Sequence, residues 1–154
     1  MRIISGGQTG VDRAALDAAI DIGIEYGGSI PKGRMAEDGP IDGRYEKLTE
    51  LEAVNYSVRT EKNVKDADAT LVFTQGTPTE GTAFTLECAR KHQKAYLLIN
   101  LKEKRDVQAV TQIREWLAVR QTDVLNVAGP RESKAPGIYE KVFNILSDVF
   151  DPLI

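Results

Sequence analysis

The chain has 154 residues, of which 42% are hydrophobic and 28% charged, as expected for one globular domain spanning residues 1–154. Its formal net charge of −3 argues against a nucleic-acid or membrane-surface binder, because no excess or run of basic residues is present. One cysteine and one histidine exclude a disulfide framework and argue against a metal centre built from these residues, so we expect no directly ligated metal.

Short apolar runs alternate with helical patterns along the whole chain. We predict five strands, at about residues 2–5, 24–28, 69–74, 95–100 and 123–127. We predict five helices, at about residues 11–22, 55–66, 81–92, 106–120 and 136–149. No apolar run reaches the roughly 20 residues of a membrane-spanning helix and no signal peptide is predicted, so we expect a cytoplasmic protein.

The predicted strands indicate the fold class. Runs such as ATLVF and YLLI are apolar throughout, which is typical of strands covered on both faces in a parallel sheet. With the strict alternation of strands and helices, this predicts a single α/β domain whose doubly wound, mostly parallel sheet of about five strands carries helices on both faces. We expect a Rossmann-like fold with strand order 2-1-3-4-5, counted along the chain.

The first predicted strand runs into the segment GGQTG, which leads directly into the first helix. Glycine lets an anion approach the backbone closely, and the N-terminus of a helix favours negative charge. The segment is either a tight turn without a ligand or an anion-binding turn whose backbone N–H groups point outward without partners. We expect it to bind an anionic ligand through Gly6, Gly7, Gln8, Thr9 and Gly10.

Residues 31–48 interrupt the alternation. They carry three glycines, two prolines and eight charged residues, with no apolar periodicity. A structureless loop of that length is uncommon in a compact domain and is usually functional or disordered. We expect it to be functional, because it follows the second strand at the sheet edge where ligands bind, and its Lys32 and Arg34 are candidates to reach over the site.

A second glycine-rich loop, QGTPTEGT, follows the third strand and leads into the third helix. In the order 2-1-3-4-5 the first and third strands are neighbours, so their carboxyl ends frame the crevice where open α/β sheets bind ligands. Two such helix starts side by side would form a phosphate-binding site, to which the second loop contributes Gly76, Gly81 and Thr82. The P-loop pattern GxxxxGK[ST] and the dinucleotide pattern GxGxxG are both absent, which argues against an NTPase or an NAD enzyme.

Charged residues near these loops have two interpretations each. Arg131 follows the last strand at the same sheet edge, and its planar guanidinium suits phosphate-like oxyanions. The alternative for Arg34 and Arg131 is a surface ion pair with Glu37, Asp38 or Glu132. Asp12 opens the first helix, where it either complements the helix dipole or contacts a ligand or metal.

Four segments of the sequence resemble a known family. They are GGQTGVDRAALDAA, IPKGRMAEDGPI, NVKDADATLVF and NVAGPRESKAPGIYEKV. Together they resemble the bacterial molybdenum carrier family, a circularly permuted branch of the Rossmann-like superfamily that contains the LOG and lysine-decarboxylase-like proteins. The resemblance covers nearly the whole chain.

The resemblance implies a Rossmann-like domain that forms homo-oligomers and binds a phosphorylated or otherwise anionic small molecule at its glycine loops. The carrier family implies that the ligand is molybdopterin, the molybdenum cofactor, carried without turnover. The wider superfamily implies nucleotide-derived ligands, which some members cleave from a nucleoside monophosphate into base and ribose phosphate. Neither membership implies binding to nucleic acid or to a membrane.

In those hydrolases a PGGxGTxxE motif supplies the catalytic glutamate. The corresponding stretch here is TPTEGTAFT, in which Gly81 and Thr82 match. Thr85 stands at the glutamate position, and the nearest acid is Glu87. The match therefore implies a phosphate-binding role for Gly81 and Thr82 and no catalytic role for Glu87.

Two functions stay open on this basis. We expect a molybdopterin carrier or a nucleotide-binding sensor that holds its ligand without turnover, for which no catalytic residue is assigned. The alternative is an N-glycosidic hydrolase acting on a nucleoside monophosphate. In that case an acid or base would have to come from Asp12, Glu37, Asp38 or Glu80.

Overall fold

A computed structural model describes residues 1–152 of the chain. The strands are β1 (Arg2–Ile4), β2 (Glu25–Gly27), β3 (Ser29–Ile30), β4 (Met35–Ala36), β5 (Gly39–Pro40), β6 (Thr49–Glu50), β7 (Ala69–Thr74), β8 (Ala95–Asn100) and β9 (Val124–Ala128). The helices are α1 (Val11–Ile22), α2 (Tyr56–Asp66), α3 (Glu80–Lys91), α4 (Asp106–Ala118) and α5 (Ile138–Val149). All five predicted helices and the five main strands are present, with ends within about two residues of those predicted from periodicity.

The central sheet has five parallel strands in the order β2-β1-β9-β7-β8, which confirms the Rossmann-like α/β class. The predicted order 2-1-3-4-5 is wrong in one respect: the last strand, β9, lies between β1 and β7 instead of at the edge. Burial gives the physical reason. Leu125, Asn126 and Val127 of β9 are fully buried, whereas β8, at the edge, has only Ile99 fully buried.

Helices cover both faces of this sheet. Helices α1, α5 and α4 pack in a row, and α2 packs against α3. The buried face of α1 consists largely of small residues, since Ala14, Ala15, Ala18 and Ala19 are all fully buried in the main core cluster. None of the helices in the described chain has the length and apolar character needed to cross a membrane.

Residues 31–48 are ordered by their own small core. Ile41, Tyr45 and Leu48 pack with Leu16 of α1 in a separate cluster of buried side chains. Strands β4 and β5 form a short antiparallel hairpin within the segment, and β3 pairs with β6 where the segment returns. The sequence has no regular period there because the buried residues come from turns and two-residue strands, which periodicity does not detect.

Candidate ligand-binding site

An open cleft lies beyond the carboxyl ends of β1, β9 and β7. The turn from β1 to α1, the inward face of α2 and the start of α3 form its walls, and the segment after β9 completes it. The lining residues are Gly6, Gln8, Asp12, Arg59, Thr60, Asn63, Thr79, Glu80, Gly81, Thr82, Thr85, Asn126, Ala128, Gly129, Pro130, Arg131 and Lys134.

The two glycine-rich loops contribute to this one cleft without being neighbours. Because β9 separates β1 from β7, the segment that begins with Gly129 lies between the loop of Gly6 and the loop of Gly81. The prediction that the two loops share a site is therefore supported by the geometry, but the predicted adjacency of their strands is wrong. The third segment carries Arg131 and Lys134 into the cleft.

Six of the predicted site residues line the cleft, namely Gly6, Gln8, Asp12, Gly81, Thr82 and Arg131. The other six, Gly7, Thr9, Gly10, Lys32, Arg34 and Gly76, are not among its lining residues. Arg34 instead donates from Nη2 to the backbone carbonyls of Ile41, Asp42 and Tyr45, at 3.1 to 3.5 Å, and so stabilises its own segment. Arg34 is therefore held within its own segment, and the prediction that Lys32 reaches over the site stays a prediction.

Three backbone amides of the first glycine loop donate to acceptors within the protein. The amides of Gly7, Gln8 and Thr9 donate to Ser5 Oγ at 3.4 Å, Asp12 Oδ2 at 3.3 Å and Gln8 Oε1 at 3.0 Å. The expectation that these N–H groups point outward without partners is therefore wrong for Gly7, Gln8 and Thr9, whereas the amides of Gly6 and Gly10 have no acceptor within residues 1–152. The amides of Glu80 and Gly81 at the start of α3 have no acceptor there either.

Two glycines of this loop, Gly6 and Gly10, have no space for a Cβ atom. A Cβ on Gly6 would lie 1.5 Å from Nη1 of Arg59. A Cβ on Gly10, whose φ is 76°, would lie 2.4 Å from the carbonyl oxygen of Pro130. The glycines are thus required by close packing inside the protein, which the sequence pattern alone does not distinguish from a ligand's approach.

The sequence analysis missed several lining residues, of which Arg59 is the most deeply buried cation. Its Nη1 donates to Asp12 Oδ2 at 3.0 Å, and the two side chains are only 10% and 7% exposed. Its Nε has no acceptor in the described structure, and no hydrogen bond from Nη2 is present within residues 1–152. Helical spacing could have indicated its position, because Arg59 shares the buried face of α2 with Asn63 and Val64.

Burial of Asp12 affects its ionisation. Desolvation raises the pKa of the Asp12 carboxyl above its usual value, and the nearby Arg59 guanidinium opposes that rise without cancelling it. The proximity of Arg59 explains why a carboxylate is tolerated here at all, since a buried charge needs a partner. Asp12 is therefore fixed to α2 and does more than complement the dipole of α1.

Two further cations line the cleft. Arg131 has no ion pair or hydrogen bond from its guanidinium within the described residues, so the alternative of a surface ion pair with Glu37, Asp38 or Glu132 is not observed. Its charge does act on Glu37: desolvation raises the pKa of that carboxyl, but hydrogen bonds from Ser133 and Thr9 and the charge of Arg131 lower it below its usual value. Glu132 instead accepts hydrogen bonds from the amides of Gly137 and Tyr139 at the start of α5. Lys134 Nζ lies 4.0 Å from Glu80 Oε1, with both side chains more than half exposed.

The four carboxylates considered as acid or base separate into two groups. Asp12 and Glu80 line the cleft. Glu37 and Asp38 do not, because Glu37 contacts Thr9 and Ser133 and Asp38 pairs with Arg13 at 3.0 Å. Only Asp12 and Glu80 are therefore placed to contact a ligand directly.

Metal-ligand side chains are not clustered. In residues 1–152 no group of three or more histidine, cysteine, aspartate or glutamate side chains is arranged to hold a metal ion. Cys88 is buried, and burial raises the pKa of its thiol. His92, one helical turn away, lies 2.7 Å from Glu61 on α2.

The comparisons with known proteins identify the family. A model of the family described as "Circularly permutated YpsA SLOG family" matches residues 3–150. The chain is also similar to the crystal structure of the "Putative molybdenum carrier protein" of Syntrophus aciditrophicus SB, with 45% sequence identity, a TM-score of 0.95, and coverage of 97% of this chain and 94% of that one. No curated protein matches it. These matches confirm the resemblance seen in the sequence, and the chain belongs to the circularly permutated YpsA SLOG family.

Proposed function

We propose that the protein binds a phosphorylated small molecule in this cleft without chemical turnover. The observation that carries the proposal is the state of Arg59. Its guanidinium is held by Asp12 through Nη1 alone, while Nε and Nη2 have no acceptor within residues 1–152. Leaving charged donors unused in a nearly buried side chain is costly, so an oxyanion that accepts from Nη2 would be bound strongly.

The surroundings of Arg59 suit the same ligand. Arg131 and Lys134 bring the number of cationic side chains in the cleft to three, against the two carboxylates of Asp12 and Glu80. The start of α3 adds free backbone amides and the positive end of a helix dipole. Phosphate oxygens are stabilised by such a combination of guanidinium, ammonium and helix N-terminus.

For the ligand itself we propose a pterin phosphate that carries molybdenum, as the name of the Syntrophus relative suggests. Since the described residues offer no cluster of metal ligands, the proposal is that molybdenum is carried while chelated by the pterin. A nucleotide is the other phosphorylated ligand that the family resemblance implies.

Calorimetric titration with molybdopterin, AMP and inorganic phosphate tests the proposal. We expect the wild-type protein to bind at least one of them. Arg59→Lys keeps the charge that pairs with Asp12 but removes the guanidinium fork, so affinity should fall about tenfold. Mass spectrometry of small molecules released from the purified protein by heat would identify the ligand directly.

The control is Arg90→Lys, which makes the same chemical change at an exposed position of α3 outside the cleft. It should leave the affinity unchanged. Failure of the folded wild-type protein to bind any of the three compounds at millimolar concentration would contradict the proposal. Equal affinities for wild type and Arg59→Lys would show that the site lies elsewhere.

Hydrolysis of a nucleoside monophosphate is the second candidate, and one observation favours it. Asp12 is a carboxyl group in the cleft whose pKa is raised by desolvation despite Arg59, a property that general acids and bases share. The AMP titration distinguishes the two functions, because release of free adenine would indicate turnover. Loss of that release in Asp12→Asn would assign the acid or base.

A further inference from the structure

The tip of the β4–β5 hairpin makes an unusual set of contacts. Ala36 pairs with Gly39, so the tip consists of Glu37 and Asp38. A carboxylate at an exposed hairpin tip is normally surrounded by water and contributes little. Glu37 is exposed and nevertheless uses both of its carboxylate oxygens and its own amide to contact two other segments of the chain.

The first of these segments is the loop between β1 and α1. The amide of Glu37 donates to Gln8 Oε1 at 2.8 Å, and the hydroxyl of Thr9 donates to Glu37 Oε1. The backbone amide of Gln8 in turn donates to Asp12 Oδ2 at 3.3 Å, and Asp12 accepts from Arg59. A short series of contacts therefore leads from Glu37 to the guanidinium in the cleft.

The second segment is the one that follows β9. Ser133 donates to Glu37 from both its amide, at 3.1 Å, and its hydroxyl, at 2.5 Å. Ser133 lies between Arg131 and Lys134, the two other cations of the cleft. Thr9 links the two segments again, since its hydroxyl oxygen accepts from the amide of Glu132 at 3.1 Å.

We propose that Glu37 is a positioning residue that holds the Arg59 wall and the Arg131–Lys134 wall of the cleft at the spacing an oxyanion requires. This inference rests on the proposed function, because it assumes that the cleft binds a phosphate group. It gives residues 31–48 an indirect role in the site, because Glu37 contacts the segments that carry the lining residues and not the cleft itself. The direct contact with ligand that the sequence suggested for Lys32 and Arg34 is not part of it.

The inference is testable because a purely electrostatic effect of Glu37 on anion affinity would have the opposite sign. Glu37 carries a negative charge close to a site for an anion, so removing that charge should strengthen anion binding if only the Coulomb interaction mattered. If Glu37 holds the walls together, its removal should weaken binding, because the cations separate. The sign of the change in affinity therefore distinguishes the two mechanisms.

The experiment is a calorimetric titration of AMP and inorganic phosphate into the full chain and its variants. Glu37→Ala should weaken binding about tenfold, the scale expected when charge-assisted hydrogen bonds that fix a site are lost. Glu37→Gln keeps the chain length and one acceptor oxygen, so it should recover part of the affinity. Glu46→Gln is the matched control, because Glu46 is exposed in the same segment and has no polar contact within residues 1–152.

Stronger or unchanged binding by Glu37→Ala would overturn the inference, as would equal losses in Glu37→Gln and Glu37→Ala. Hydrogen exchange of the free protein provides a readout that does not depend on a ligand. Exchange at residues 6–12 and 129–135 should be faster in Glu37→Ala than in wild type or Glu46→Gln. If the wild type binds neither of these probes nor molybdopterin, the proposed function fails, and unchanged exchange in Glu37→Ala would reject the positioning role separately.

Discussion

Among single residues, Gly6 connects the glycine motif with the buried ion pair of the cleft. The guanidinium of Arg59 occupies the space next to its Cα, and the pair of Arg59 with Asp12 depends on that space. A motif of glycines after a first strand is usually associated with phosphate binding. Here Gly6 is explained by packing inside the protein, and under the proposed function the motif would act on a ligand through Arg59, which Gly6 accommodates.

Gly6→Ala should therefore displace Arg59 and separate a buried ion pair. We expect the free energy of unfolding to fall by about 3 kcal/mol, as for other buried pairs that lose one partner. In a background of Arg59→Ala the added methyl group meets nothing closer than Asp12 Oδ2 at 3.0 Å. The two substitutions should therefore be less than additive in urea denaturation by more than about 1 kcal/mol, whereas additive costs would contradict this account.

Glu37 and Arg59 also show which part of the site the sequence predicts. Gly6, Gly81 and Arg131 follow strand ends, and parallel strands bring such residues to one edge of the sheet, so their meeting could be predicted. Arg59 lies within a helix and Glu37 at a hairpin tip. Their roles depend on contacts between distant segments, which no local pattern encodes.

Among the elements, helix α1 shows how composition serves packing. Its four buried alanines belong to the same core cluster as Ile138, Val142 and Ile145 of α5, the helix against which α1 packs. Small side chains let the two helices approach closely, and the larger residues of α5 fill the remaining space. Both helices could be predicted from their periodicity. Their contact with each other could not, because it depends on the order of the strands to which they are connected.

Ala18→Leu should disturb this contact. The added methylene and methyl groups have no space in a fully buried position, so we expect a loss of about 1–3 kcal/mol in the free energy of unfolding. Asp21→Leu introduces the same side chain on the exposed side of α1 and should change stability by less than about 0.5 kcal/mol. Comparable losses in the two variants, measured by urea denaturation, would show that helix propensity and not packing determines the change in the free energy of unfolding.

At the scale of the whole molecule, the position of β9 determines how the sheet is completed. Strands β1 and β2 form one part and β7 and β8 another, and β9 pairs with both β1 and β7. The order of strands could not be predicted, because the apolar run of β9 is equally compatible with a central or an edge position. Only its burial, known from the structure, distinguishes the two.

A chain that ends at residue 120 should therefore not fold. It keeps β1, β2, β7 and β8 but lacks the strand that joins them, together with α5. We expect the fragment to show no cooperative unfolding in circular dichroism, whereas the full chain unfolds in a single transition seen equally by Trp116 fluorescence. A cooperative transition in the fragment would mean that the two parts are independent units.

β9 is the last strand to leave the ribosome, so the central sheet cannot be completed until most of the chain has been synthesised. Until the last part of the chain has emerged, β1 and β7 each present an unpaired edge, and such edges pair with other chains when they stay exposed. The cleft lies across the same join, with Asp12 on one side and Thr82 on the other. A nascent chain therefore has no complete cleft, and under the proposed function it should bind no ligand until β9 has paired.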